Sequence, residues 1–202
     1  VLPVIILNVF TARLGDELGE PMAAYFYIAW TIASLVMMIS YATGSSLLAE
    51  GSVDPGKFGS SSVKAIRFML LLLVAAIVVV FVAGRWALAW FDTGYVDEAF
   101  SLLRVLSVSG IPMAINMIYV TQKRMERKVW PVILIYAFVA CFTIGVGYAL
   151  MNSMDDQPLL GIGIAWLVSN SLVAVVLGGL MMRSWLQARR KKSQGNADAR
   201  TS

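Results

Sequence analysis

The chain has 202 residues, of which 59% are hydrophobic and 14% charged, with a net charge of +4; its mean hydropathy is +0.76. A soluble domain is about 45–50% apolar and about 25% charged, so this composition excludes an ordinary soluble globule and makes lipid part of the solvent. The absence of histidine removes His-based triads, His metal sites and imidazole acid–base chemistry, and the single Cys141 allows no internal disulfide and makes a poor metal site.

Residues Val1–Ala12 are apolar but shorter than the roughly 20 residues that cross a bilayer. They lack the basic region and the small-residue cleavage site of a signal peptide. The stretch reads as the cut-off end of a transmembrane helix, and the chain as the C-terminal part of a longer protein. Five stretches are long enough to span: Met22–Ala49, Lys64–Phe91, Ala99–Gln122, Val129–Met151 and Leu159–Arg183. They are too long, and alternate too little, for barrel strands. Backbone polar groups in lipid must be satisfied within the segment, which leaves helices. The expected fold class is an all-α membrane protein, a bundle of about six transmembrane helices. Residues 1–185 form the transmembrane lobe, with its first helix truncated. Residues 186–202 form a basic cytoplasmic tail with the composition of a disordered segment.

The connections orient the bundle. Segment 13–21 sets Asp16, Glu17 and Glu20 against Arg13. Segment 50–67 carries Lys57, Lys64 and Arg67. Segment 85–98 sets Asp92, Asp97 and Glu98 against Arg85. Segment 123–128 reads KRMERK, segment 152–158 has only Asp155 and Asp156, and the tail carries Arg183, Arg189, Arg190, Lys191, Lys192 and Arg200. Basic and acidic connections alternate, so 13 of the 16 basic residues share one side. Lys and Arg mark the cytoplasmic side, which places the C-terminus inside. The Arg189–Lys192 run is either a stop-transfer anchor or a contact for anionic lipid headgroups.

The spans differ in character. Met22–Ala49 carries Tyr27, Thr31, Ser34, Tyr41 and Ser45 on one narrow helical stripe, with Met38 between them. The stripe is expected to face other helices, where small polar groups hydrogen-bond, or to line a wet cavity. Lys64–Phe91 is almost wholly apolar and reads as a lipid-facing wall, with Arg67 and Arg85 snorkelling at its ends. Ala99–Gln122 places Ser109, Asn116 and Lys123 seven residues apart, with Tyr119 close to the same face. Pro112 is expected to kink this helix and release the carbonyl of Val108; interrupted helices line many transporter sites. Arg104 lies about one turn inside the outer end. It is either an interfacial Arg paired with Asp97 or Glu98, or a fork for a phosphate or carboxylate. No Asp, Glu or Lys lies deep in any span, which argues against a coupling-ion site here. Gly145, Gly147, Gly161, Gly163, Gly178 and Gly179 read as packing positions.

Three segments carry a resemblance in their order: GEPMAAYFYIAWTIASLV with LLAEGS, then AFSLLRVLSVSGIPMAINMIY, then GIGIAWLVSN. The chain up to Trp185 resembles the C-terminal half of the polysaccharide and oligosaccharide lipid flippases, within the multidrug/oligosaccharidyl-lipid/polysaccharide exporter superfamily. The resemblance implies one lobe of a two-lobe, alternating-access transporter. Its substrates would be polyprenyl-linked sugar pyrophosphates moved across the cell membrane for surface polysaccharide synthesis. The candidate substrate-path residues, from the polar stripes and the position of Arg104, are Tyr27, Thr31, Ser34, Tyr41, Ser45, Arg104, Ser109, Asn116 and Tyr119. The implied partners are membrane lipids, the lipid-linked sugar and an N-terminal lobe of the same protein; nucleic acid is not among them. A multidrug or peptidoglycan-precursor carrier of the same superfamily is the nearest alternative. A membrane-embedded structural or assembly subunit is the alternative from another class. An embedded enzyme would want acids or histidines gathered at one membrane face. The acids here sit in short loops, so no enzyme activity, metal or cofactor is expected.

Overall fold

The structure, a computed structural model, describes residues 2–53, 58–90, 93–154 and 157–201, with side chains at 21–47, 49, 67–90, 99–154, 157–181 and 183. Its described residues fold into helices: α1 (Leu2–Val53), α2 (Phe58–Ala89), α3 (Thr93–Val108), α4 (Gly110–Met125), α5 (Val129–Ser153) and α6 (Pro158–Thr201). Five segments are long and apolar enough to cross a membrane: Pro21–Leu47, Arg67–Ala89, Ala99–Met125, Val129–Ser153 and Pro158–Met181. The chain is thus an all-helical, multi-pass membrane protein.

Two expected boundaries differ. The connection at 13–21 is helical, so the N-terminal stretch and the first full span form one 52-residue helix, about 78 Å long at 1.5 Å per residue. Apart from Gly15, Gly19 and Pro21, this segment is built of residues that a helix accepts readily, and Pro21 lies inside the helix without ending it. At the other end α6 continues to Thr201 through the basic tail, where the composition predicts disorder. That segment contains no proline and one glycine, so no residue in it stops a helix already propagating. The acidic side chains at 16, 17, 20, 92, 97, 98, 155 and 156 lie outside the described side chains, as do those of Lys57, Lys64 and the bases from 189 onward.

The α3–α4 span is central: 56% of an apolar stretch of 18 residues within it is buried, against 22% of the corresponding stretch of α2 and 17% of that of α5. It packs against α1, α2 and α6, while α5 packs chiefly on α6. The core joins Phe26, Ala33 and Met37 of α1 to Leu73 of α2, to Leu102, Leu103 and Leu106 of α3, and to Leu159 and Trp166 of α6. The outer faces of α2 and α5 expose Leu71, Val79, Val82, Leu134 and Phe138, the pattern of surfaces solvated by acyl chains. Exposed Trp86 and Trp90 end α2, and exposed Trp130 opens α5. These are positions where aromatic belts meet the headgroups on the two sides.

α3 and α4 meet at Ser109, which keeps helical dihedrals, φ −62 and ψ −15. The ladder brackets it: Ser109 N donates to Val105 O and Met113 N to Ser109 O, both at 3.1 Å. Pro112 has no N–H to give Val108 O. The turn between α4 and α5 is closed by Arg127 in the left-handed region at φ 53. Lys128 N donates to Lys123 O at 2.9 Å and Arg127 N to Arg124 O at 3.0 Å, the paired bonds of a Schellman motif. Glu126 joins Lys123 at 2.8 Å and Lys128 at 3.1 Å. The Lys123 hydrogen bond holds the Glu126 carboxyl below its ordinary range; slight desolvation opposes this and Lys128 reinforces it.

Candidate functional site

The polar positions of the α4 and α6 sequences meet inside the bundle. Asn116 and Asn170 are both buried. The Asn116 amide nitrogen donates to the Asn170 carbonyl at 3.1 Å and to its Oδ1 at 3.4 Å. Asn170 Nδ2 in turn donates to Trp166 O at 3.0 Å. This network orients the Asn116 amide, because a flipped amide would set its Oδ1 against the Asn170 carbonyl oxygen. Next to it, Ser169 Oγ donates to Trp166 O at 2.9 Å. Its proton being used there, Thr143 Oγ1 donates to Ser169 Oγ at 3.0 Å, tying α5 to α6. Such interhelical bonds contribute on average about 0.6 kcal/mol in a membrane.

A cleft of about 40 Å³ adjoins this network, lined by Tyr41, Asn116, Tyr136, Trp166 and Asn170 with methionine and aliphatic side chains between them. Tyr41 and Tyr136 are partly exposed whereas Asn116, Trp166 and Asn170 are buried, so the two tyrosines mark the mouth and the amides the floor. No charged side chain lines the cleft. Among the described residues, two buried polar atoms of its lining residues lack a hydrogen-bond partner: Asn116 Oδ1, an acceptor, and Trp166 Nε1, a donor. The Trp166 ring is held edge-on against Trp30, with centroids 5.1 Å apart.

The other expected path residues fall elsewhere. Tyr27, Met38 and Tyr41 are 60%, 63% and 41% exposed, so the α1 stripe faces outward instead of packing on the described helices. The reason is the opposite face, where Ala23, Phe26, Ala29, Ala33, Val36 and Met37 supply the close-packing surface. The stripe hydroxyls bond to their own helix: Thr31 to Tyr27 O at 2.8 Å, Ser34 to Thr31 O at 2.7 Å and Ser45 to Tyr41 O at 2.9 Å. Ser109 is buried and donates to Leu106 O. Arg104 does not line the cleft. It is exposed, with its guanidinium 4.1 Å from the Phe100 ring centroid and 5.2 Å from that of Phe81. Its expected partners Asp97 and Glu98 lie outside the described side chains. Tyr119 packs under the Lys123 ammonium at 5.3 Å. Of the expected residues, Tyr41 and Asn116 therefore come together at one cleft.

No family model matches the sequence, and no significant similarity to a curated protein or a solved structure is found. The cleft's chemistry therefore rests on its own residues. Trp166, Asn170 and Tyr136 are absent from the sequence-based site, although Asn170 is a polar side chain inside an apolar span, the same signal that singles out Asn116. Among the described residues no group of three or more Cys, Asp or Glu gathers where a metal could sit. The surface the cleft presents is almost wholly apolar, and the amides beneath it serve to tie α4 to α6, in a surround where each such bond is strong and each missing one costly.

Proposed function

We propose that this chain is the C-terminal lobe of a flippase that carries polyprenyl-linked oligosaccharides across the cell membrane, with its C-terminus in the cytoplasm. The observation that carries the reading is the outward stripe of α1, which runs uncovered along the bundle and shares Tyr41 with the mouth of the cleft. A stripe of two tyrosines, a methionine and three hydroxyl residues suits the wall of a path between two lobes. The sequence resemblance points to the same substrate class, and the basic connections support the cytoplasmic C-terminus.

One observation favours a second reading, a structural membrane subunit. The stripe hydroxyls of Thr31, Ser34 and Ser45 are already bonded to backbone carbonyls, so this face can lie against lipid at little cost. The intact protein in proteoliposomes, with a fluorescent polyprenyl-diphosphate oligosaccharide, separates the two. The flippase reading expects transbilayer movement that falls in Tyr41→Ala at equal protein abundance. No movement with the unaltered protein would refute it.

A further inference from the structure

We infer that the groove between α5 and α6 holds an acyl chain of an anionic phospholipid, whose phosphate lies at the level of Arg183 and Lys128. The groove has a volume of about 290 Å³ and only apolar side chains line it. Buried Val173 and Leu177 form its floor. Exposed Leu134 and Phe138 of α5 and exposed Leu172 and Val176 of α6 form its walls. Such a surface offers water no hydrogen bond and offers a hydrocarbon chain close contact on three sides.

Depth and charge select the ligand. α5 and α6 run back from the short connection at 154–157 and pack along each other. The groove residues stand 14 to 19 positions from the helix ends at Ser153 and Pro158, which is about 21–28 Å along the axes. A bilayer core is about 30 Å thick, so the groove opens into the leaflet nearer the α4–α5 turn. Lys128 and Arg183 each stand 25 positions from the same two helix ends, about 38 Å along the axes, at headgroup level. Both are exposed. Arg183 lies 7 and 11 positions beyond Val176 and Leu172, on the same helical face. Exposed Trp130 lies 4 and 8 positions before Leu134 and Phe138, again on one face and at the level where tryptophan meets headgroups. The turn at 123–128 holds four bases and one acid. That acid, Glu126, pairs with Lys123 and Lys128, and the excess leaves the end of the groove positive. An anionic headgroup neutralises this charge while its chain fills the groove. A zwitterionic lipid brings a further positive group to the same level, and an apolar partner helix brings no counter-charge. The site does not depend on the flippase reading.

The test is native mass spectrometry of the whole chain released from detergent with equal amounts of phosphatidylglycerol and phosphatidylcholine. The unaltered protein should retain phosphatidylglycerol in preference. Val176→Trp, which fills the groove from an exposed wall position, should lose the retained lipid. Val175→Trp adds the same bulk at a neighbouring exposed position outside the groove and should keep it. Arg183→Gln should weaken phosphatidylglycerol about fivefold, the worth of one basic residue at an anionic surface, and leave phosphatidylcholine unchanged. Arg200→Gln removes the same charge far along the tail and should have little effect. Equal retention of the two lipids by the unaltered protein would overturn the site. So would a loss in Val175→Trp as large as in Val176→Trp, or a loss in Arg200→Gln as large as in Arg183→Gln, since the attraction would then be diffuse. A lipid-free dimer that Val176→Trp converts to monomer would put a second copy of the chain in the groove and overturn the lipid assignment.

Discussion

Replacing Gly161 by alanine tests the α5–α6 contact most directly. A Cβ at Gly161 would lie 3.1 Å from both the carbonyl carbon and the Cβ of Leu150, and 3.2 Å from Met151 N. Two of these atoms are backbone, so α5 cannot yield by turning a side chain. It must retreat by a few tenths of an ångström, and that retreat also loosens Gly147, whose own surroundings are Ala165 and Ile162 at 3.6 Å. Overpacking of this kind costs about 1–3 kcal/mol. Removing a glycine from a helix interior returns about 0.5–1 kcal/mol. The net expectation is a loss of about 1 kcal/mol, roughly a fivefold fall in the folded-to-unfolded ratio. Gly179→Ala is the control, because a Cβ there meets nothing within 4 Å and only the helix gain remains. Equilibrium unfolding of the full chain in lipid–SDS mixed micelles reads both variants. The reasoning fails if Gly161→Ala proves as stable as Gly179→Ala.

Three further outcomes follow from the α4–α5 turn and the loop charges. Arg127→Gly should stabilise the protein by about 0.5–1 kcal/mol, because an L-residue at φ 53 bears a strain that glycine does not; thermal unfolding in detergent should rise for glycine and fall for Arg127→Val. Glu126 has a folded-state pKa below its ordinary 4.5, so its ion pairs add stability at neutral pH. That contribution is lost as pH falls below about 4.5 and through the lowered value. It is worth under about 1 kcal/mol at so exposed a site, and the stability gap to Glu126→Gln should close under acid and shrink in high salt. After replacement of Cys141, single cysteines at Ser60 and Ser153 should react with impermeant maleimide from opposite sides of the membrane; reaction from the same side contradicts the orientation drawn from the basic loops.

Hydropathy is local and additive along the chain, and that is why the spans were legible without coordinates. Each span expected from composition agrees with a structural span to within three residues at either end, from Met22–Ala49 against Pro21–Leu47 to Leu159–Arg183 against Pro158–Met181. Helix ends outside the apolar stretches were less legible. The segment at 13–21 and the basic tail have polar compositions that suggest loops, yet contain few residues that stop a helix, and both are helical.

What faces what depended on the tertiary structure. A polar stripe on α1 can be read from its spacing, but whether it turns inward depends on the competing face, and the small and apolar residues from Ala23 to Met37 win the close contact with α4, α2 and α3. Six glycines look alike in sequence. Gly147, Gly161 and Gly163 meet neighbouring helices, while Gly145, Gly178 and Gly179 meet nothing within 4 Å, because the packing partner lies on another helix. The site obeys the same rule. Asn116 is visible by itself as a polar residue in an apolar span, but its partner Asn170 stands 54 positions away. By itself, then, the sequence determined which segments enter the membrane, since transfer free energy is summed residue by residue. The packing of α4 against α6 decided that two asparagines and a tryptophan share one cleft, since a contact between helices is set by geometry that no local window contains.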